Sequence, residues 1–113
     1  RQAVVAAAAA RLADEEEEVR DAAVRALGQL AERGGAEALT ALGPQLRHAR
    51  WEVRRAAAQA LGELAQKGDG AAEVTAPLLE DESPEVRAAG AAALGRLAAR
   101  GDGAAAAALA ARL

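Results

Sequence analysis

The sequence contains no cysteine, methionine, phenylalanine, tyrosine or isoleucine, and it has a single tryptophan and a single histidine. Without cysteine the chain can form no disulfide, no thiolate metal site and no cysteine nucleophile. One tryptophan does not make the aromatic platform on which proteins stack nucleic-acid bases. Because β-branched and aromatic residues are scarce, a β-sandwich is also disfavoured.

Alanine accounts for 37 of the 113 residues, and most of the remaining apolar residues are leucine and valine. Alanine is the best helix former, so the composition predicts an all-α chain of one domain. The formal net charge of -3 disfavours nucleic acid as a partner. The longest apolar run, Ala3 to Ala10, is far shorter than the ~20 residues of a membrane span, so we expect none.

Three segments of the sequence align without gaps. They are EVRDAAVRALGQLAERG from Glu18, EVRRAAAQALGELAQKG from Glu52 and EVRAAGAAALGRLAARG from Glu85. The spacing is 34 residues for the first step and 33 for the second. A fixed period of this length is the signature of a stacked helical repeat. We place the repeats at approximately 1–34, 35–68 and 69–101, with a partial repeat at 102–113.

Each aligned segment has the pattern of an amphipathic helix. Apolar residues recur at helical spacing in the first segment, and Ser83 before Pro84 predicts an N-cap followed by proline at the first helical position. Gly34, Gly68 and Gly101 are expected to end the three helices in the left-handed conformation. Shorter apolar segments between them predict one leading helix per repeat. Pro44 and Pro77 should shorten two of these leading helices.

The recurring motif has the form Val-Arg-x-Ala-Ala-x-x-Ala-Leu-Gly-x-Leu, with glycine for the second alanine in the third segment, after a turn that carries Asp14, His48 or Asp81. It resembles the HEAT repeat, in particular the short type named after phycobilisome-lyase subunits. The resemblance covers nearly the whole chain and implies an α-α superhelix, or α-solenoid, of about three and a half two-helix repeats. Tetratricopeptide repeats have a similar length, but their bulky aromatic positions are absent here.

The resemblance also implies a ladder of aspartate and arginine along the turns. Asp14 with Arg20 and Asp81 with Arg87 match the pattern of an aspartate followed six residues later by an arginine. The middle repeat has Arg54 but carries His48 at the aspartate position. We therefore expect the ladder to be broken or altered there, with Arg54 reaching Asp14 or Asp81 of a neighbouring turn.

No constellation in the sequence supports catalysis. His48 has no second histidine to share a metal, and Ser83 is better explained as an N-cap than as a nucleophile. The acidic run Asp14 to Glu18 suits a helix start, with a weak cation site or basic-partner site as the alternative. We expect no cofactor, no metal and no enzymatic activity.

The three turn regions alternate in charge as acidic, basic and acidic, which could set the register of stacking. The middle region carries Trp51, a residue type typical of interface anchors, at a helix start where exposure is expected. Its candidate partner-binding residues are His48, Arg50, Trp51, Arg54 and Arg55. The partner would be an acidic protein surface or a phosphate. The alternative is local packing, with the tryptophan stacked on an arginine of the same chain.

The end segments are nearly all alanine, leucine and valine, unlike the polar capping repeats that usually close a solenoid. We therefore expect a section of a longer array or assembly, or a subunit that self-associates through its end helices. The expected function is a non-catalytic protein-interaction or assembly scaffold in an intracellular compartment, cytoplasm or plastid. The alternatives are an accessory subunit of a bilin-lyase-type enzyme, a HEAT-like DNA-binding module or a designed repeat.

Overall fold

The structure is a computed structural model that describes residues 2–30, 35–64 and 70–112. Within these ranges every regular element is helical, and no strand occurs. The α-helices are α1 (Gln2–Ala10), α2 (Glu17–Gln29), α3 (Gly35–Leu42), α4 (Trp51–Leu64), α5 (Ala71–Thr75), α6 (Pro84–Ala99) and α7 (Gly103–Ala110). None of the helices in the described part of the chain is long and apolar enough to cross a membrane.

The helices form two layers, as expected for a solenoid. The second helices of the repeats, α2, α4 and α6, pack side by side in chain order, while α1 packs against α3 and α5 against α7 in the other layer. Each leading helix also contacts the second helix of its own pair. The predicted all-α superhelix of three helix pairs and a fourth leading helix is confirmed.

The core lies between the two layers and consists of leucine, valine and alanine from every repeat. Leu27, Leu61 and Leu94, which occupy equivalent repeat positions, are all fully buried. Alanines fill the narrow space between them, and Ala57, Ala58 and Ala60 of α4 are likewise completely buried. Fully burying a leucine is worth roughly 1.5–3 kcal/mol, so the repeated leucines are the main apolar contribution to stability.

The leading helices end early, and each is followed by a short 3-10 segment. α3 stops at Leu42 before the segment Pro44–Arg47, and α5 has only five residues before Ala76–Glu80, which contains Pro77. This confirms the predicted effect of the two prolines. α1 ends in a similar segment, Arg11–Ala13, although it has no proline.

The predicted signals at the ends of α6 are confirmed. Ser83 Oγ accepts a hydrogen bond from the Val86 N–H at 3.3 Å, and Pro84 is the first helical residue. After the helix, Gly101 has a φ of +96°, which is the left-handed stop expected of a glycine. Gly34 and Gly68 lie outside the described residues.

The glycine that recurs inside the second helices lets neighbouring helices approach closely. A Cβ on Gly28 would lie 3.3 Å from Glu63 Cβ, and one on Gly62 would lie 3.3 Å from Ala93 Cα. The equivalent Gly95 has no atom within 4 Å of such a Cβ. The steric need is therefore present at the two positions that face a following second helix and absent at the third.

Candidate protein-interaction site

The connections between leading and second helices lie along one edge of the solenoid. We call this surface the turn edge and define it as residues 14–20, 47–55 and 80–87. It contains all five residues that the sequence suggests for partner binding.

All three turns are closed by the same local hydrogen bond. A side-chain acceptor at the first position of the turn receives the backbone N–H two residues later, as in an Asx turn. The contacts are Asp14 Oδ1 from the Glu16 N–H (2.8 Å), His48 Nδ1 from the Arg50 N–H (3.0 Å) and Asp81 Oδ1 from the Ser83 N–H (2.9 Å). His48 therefore replaces the aspartate in this local role.

The arginine six residues later binds back to the same turn in every repeat. Arg20 Nη1 donates to the carbonyl oxygens of Asp14 and Glu15, both at 2.9 Å. Arg54 Nη1 donates to the corresponding two carbonyls at 2.7 and 3.0 Å, and Arg87 Nη1 donates to the Asp81 carbonyl at 2.6 Å. One edge of each guanidinium is thus used to hold its own turn.

The other edge of the Arg54 guanidinium binds the next repeat. Its Nε donates to Asp81 Oδ2 at 2.9 Å and its Nη2 donates to Asp81 Oδ1 at 3.0 Å, which is the strong bidentate geometry. The two side chains are only 13% and 11% exposed. The expectation that Arg54 reaches a neighbouring turn is confirmed, with Asp81 as the partner.

The environment of Asp81 lowers the pKa of its carboxyl. Desolvation by burial acts to raise it, but the Arg54 and Ser83 hydrogen bonds, together with the charges of Arg54 and Arg87, outweigh that effect. Ionised Asp81 is therefore stabilised by residues of its own turn and of the preceding repeat.

The equivalent arginine–carboxylate link is missing between the first and second repeats. Arg20 is only 6% exposed, and its Nε is buried without a hydrogen-bond partner. The position where its carboxylate would stand is occupied by His48, whose Nδ1 is engaged with Arg50. The predicted break in the ladder thus falls between the first and second repeats.

The other two arginines of the candidate site, Arg50 and Arg55, also make polar contacts within the chain. Arg50 Nη1 donates weakly to the Ala13 carbonyl at 3.4 Å, and its Nε lies 3.9 Å from Glu52 Oε1. Arg55 Nη2 lies 3.5 Å from Glu17 Oε2, and the Arg55 guanidinium carbon lies 5.4 Å from the centroid of the Trp51 ring.

Trp51 is half-buried at the start of α4 and lines an open cleft of about 350 Å³. We call it the Trp51 cleft. It lies between the first turn of α4 and the first turn of α6. Its lining residues are Ala49, Trp51, Arg54, Glu82, Ser83, Pro84 and Glu85. The structure thus brings Trp51 and Arg54 of the candidate set together in one cleft, while Arg50, Arg55 and His48 lie outside its lining.

A second concavity lies on the outer surface of α2, α4 and α6, which we call the second-helix face. This groove has a volume of about 330 Å³ and spans all three helices. Small residues line it: Ala58, Gly62 and Ala93 are buried beneath the groove, whereas Ala89 is half-buried and Ala92 is exposed. Its rim carries the exposed Gln59 and Glu63. Arg96 also lines it and binds Glu63 across it at 2.6 Å.

The groups that could serve in catalysis are committed elsewhere or dispersed. Ser83 Oγ caps α6 and donates to Glu85 Oε1 at 3.0 Å, and Thr75 is fully buried. Across residues 2–30, 35–64 and 70–112, no group of three or more histidine, cysteine, aspartate or glutamate side chains is placed to hold a metal ion.

Two features of this edge were not predicted from the sequence. The clamping of turn carbonyls by the ladder arginines depends on guanidinium orientation, which residue types do not reveal. The turn hydrogen bond of His48 could have been suspected from its alignment with Asp14 and Asp81, because imidazole Nδ1 can accept as a carboxylate oxygen does.

Two family models match the repeat pattern. Residues 39–113 match the family model described as HEAT repeats, and residues 3–34 match the one described as HEAT repeat. No curated protein and no solved structure gave a match.

Proposed function

Because this chain belongs to the HEAT-repeat family, we propose that it is a non-catalytic scaffold that holds a protein partner against its second-helix face. HEAT repeats generally serve protein interaction and assembly. The narrower resemblance to the phycobilisome-lyase type stays a prediction, as does an intracellular location.

The groove across α2, α4 and α6 is the observation that carries this proposal. The small side chains of Ala89 and Ala92 leave room for a partner backbone to approach, and polar residues at the rim can orient that partner. The groove is formed by three consecutive repeats, so it depends on the stacking of the solenoid. A rigid solenoid presents such a surface without reorganisation, which lowers the entropic cost of binding.

The alternatives from the sequence have less support. A DNA-binding face would need a continuous run of basic residues, but among the residues that line the groove the arginine, Arg96, is paired with Glu63. A bilin-lyase-type role remains a prediction that absorbance of co-purified pigment would test.

Site-specific photo-crosslinking tests the proposed face. A photoreactive residue at Gln59, which is exposed in the groove, should give a discrete adduct with one partner protein in extracts of the source cells. The matched control is the same residue at Val74 on the leading-helix layer, which is 44% exposed and outside this groove. Ala92→Trp, which fills the groove from an exposed position, should abolish the Gln59 adduct.

Equal adducts from Gln59 and Val74 would contradict the proposal, because they would show contact without a preferred face. An adduct that survives Ala92→Trp would also contradict it. Circular dichroism of each variant would establish that the helices remain folded.

Self-association through the end helices is a separate prediction. Val4 on α1 is 56% exposed, more than Val74 at 44%, which is the other large apolar side chain exposed in the described part of the chain. Sedimentation equilibrium of the wild type and of Val4→Lys tests it. A monomer in both cases would contradict self-association and leave the proposed function intact.

A further inference from the structure

We propose that the Trp51 cleft is a receptor for an arginine side chain on a basic segment of the partner protein. This inference rests on the proposed protein-binding function and adds to it the chemistry of one contact. The arginine-rich middle turn suggests an acidic partner, but the charges on the turn edge favour a basic one.

The turn edge carries more acid than base. Residues 14–20, 47–55 and 80–87 together contain ten carboxylates and six arginines. The two arginines nearest the Trp51 ring already have contacts within the chain, because Arg54 is neutralised by Asp81 and Arg55 lies against Glu17 and the indole. An acidic partner would have to displace these contacts, whereas a basic partner would not.

The charged residues that line the cleft without an ion-pair partner among the described residues are carboxylates. Glu82 is exposed and has no hydrogen-bond or ion-pair partner in the described part of the chain. Glu85 is also exposed and accepts a single hydrogen bond from Ser83 through Oε1. Both line the cleft, so a cation that enters it gains two carboxylates.

The helix ends reduce this negative potential without reversing it. α4 and α6 both begin at the cleft, and each helix N-terminus is equivalent to about half an elementary positive charge. The charge of Arg54 is balanced by Asp81. Among the residues that line the cleft, the carboxylates of Glu82 and Glu85 therefore outweigh the two helix ends, and this lining favours a cation.

The shape and lining of the cleft favour arginine over lysine. A planar guanidinium stacks on an indole and binds a carboxylate with two parallel hydrogen bonds, which an ammonium group cannot do. Both arrangements already occur next to the cleft, in Arg55 over Trp51 and in Arg54 with Asp81. A volume of about 350 Å³ is at the small end for a binding pocket and suits one side chain.

Trp51 is the only aromatic residue of the chain, so its fluorescence reports on the cleft directly. The probes are three synthetic peptides of the form Gly-Ser-X-Gly-Ser-X-Gly-Ser, with X as arginine, lysine or glutamate. Titration at physiological salt should give a saturable change in Trp51 emission with the arginine peptide. The lysine peptide should bind more weakly, and the glutamate peptide should cause no saturable change.

Substitutions then locate the binding charge. Glu82→Gln should weaken arginine-peptide binding about 3- to 5-fold, the effect of losing one partly exposed ion pair of up to ~1 kcal/mol. Glu82→Gln with Glu85→Gln should weaken it further. The matched control is Glu15→Gln with Glu16→Gln, which removes two exposed charges of the first turn that do not line the cleft, and it should change affinity less than about 2-fold.

An equal loss in the control pair would overturn the proposal, because it would show attraction to the general negative charge of the edge. Tighter binding of the glutamate peptide would overturn it in favour of an acidic partner. Glu82 makes no hydrogen bond or ion pair within the described ranges, so its substitution keeps the test valid if the Glu85 variant is unstable. If the arginine peptide does not bind at the cleft while the Gln59 adduct still forms, the proposed function stands and only the arginine contact is wrong.

Discussion

The junction between the first and second repeats and the junction between the second and third repeats both pack one second helix against the next, but their polar contacts differ. At the second junction, Arg54 and Asp81 form two hydrogen bonds of 2.9 and 3.0 Å, and Arg96 binds Glu63 at 2.6 Å. At the first, the links between described residues are longer: Gln45 to the Ala9 carbonyl at 3.3 Å, Arg50 to the Ala13 carbonyl at 3.4 Å and Arg55 to Glu17 at 3.5 Å.

The difference in the arginine–aspartate ladder follows from one residue. His48 keeps the turn hydrogen bond that an aspartate would make, so the local conformation of the turn is preserved. It provides no carboxylate for the preceding repeat, and Arg20 Nε is left buried without a partner. The comparison shows that a ladder residue has two separable roles, one within its turn and one between repeats. The second role is the one that the first junction lacks.

The largest expected effect comes from breaking the strong junction. Arg54→Ala should lower the free energy of unfolding by about 3 kcal/mol, because it leaves Asp81 poorly solvated without its partner and frees two turn carbonyls. Arg50→Ala is the matched control at the weak junction and should cost less than about 1 kcal/mol, since its contacts are long and its side chain is 38% exposed. Urea unfolding measures both, and equal losses would show that the ladder contact has no special weight.

Substitutions of the recurring glycine test the contribution of helix packing at the second junction separately from that of the polar contacts. Gly62→Leu should destabilise by roughly 1–3 kcal/mol, because even its Cβ would meet the α6 backbone at 3.3 Å. Gly95→Leu should be neutral or stabilising, since its Cβ meets open space and leucine is a better helix former than glycine. Thermal unfolding of the two variants tests this. A similar fall in Tm for both would mean that the α4–α6 contact is not the cause.

Acid should weaken the strong junction selectively. The pKa of Asp81 is lowered in the folded state, because its hydrogen bonds and neighbouring arginines outweigh desolvation. The associated stabilisation is therefore fully present above the ordinary aspartate value of about 3.9 and is lost as pH falls through the lowered folded-state pKa. The stability difference between the wild type and Asp81→Asn should narrow steadily below about pH 4. Parallel stability curves for the two proteins down to about pH 2 would contradict this account.

The smallest expected effect is a gain at the weak junction. His48→Asp should raise stability by about 1 kcal/mol, because the new carboxylate can close the turn and also accept from Arg20. His48→Asn is the control: its amide oxygen can close the turn but offers no charge. Urea unfolding should show a gain for the aspartate variant alone. Equal values for the two variants would indicate that the charge at this position is irrelevant.

The fold was predictable from the sequence because the information is periodic. The alignment of Leu27, Leu61 and Leu94 fixed the buried stripe, and Ser83, Pro84 and Gly101 marked the ends of α6. The sequence suggested candidate residues around Trp51 but did not predict the contacts that each of them makes. Residue types placed Trp51 among arginines, but the charge that each arginine presents depends on which carboxylate of the next repeat it meets. That pairing is three-dimensional, and it leaves Glu82 and Glu85, not the arginines, as the free charges of the Trp51 cleft.

A double-mutant cycle between Arg20→Ala and His48→Asp tests the two-role account most directly. The stability change caused by His48→Asp is measured by urea unfolding in the presence and in the absence of the Arg20 guanidinium, so that the loss of the turn clamp cancels. We predict a coupling free energy of about 1–2 kcal/mol between Arg20 and the new aspartate. A coupling below about 0.3 kcal/mol would contradict the account, because it would show that a carboxylate at position 48 does not complete the ladder.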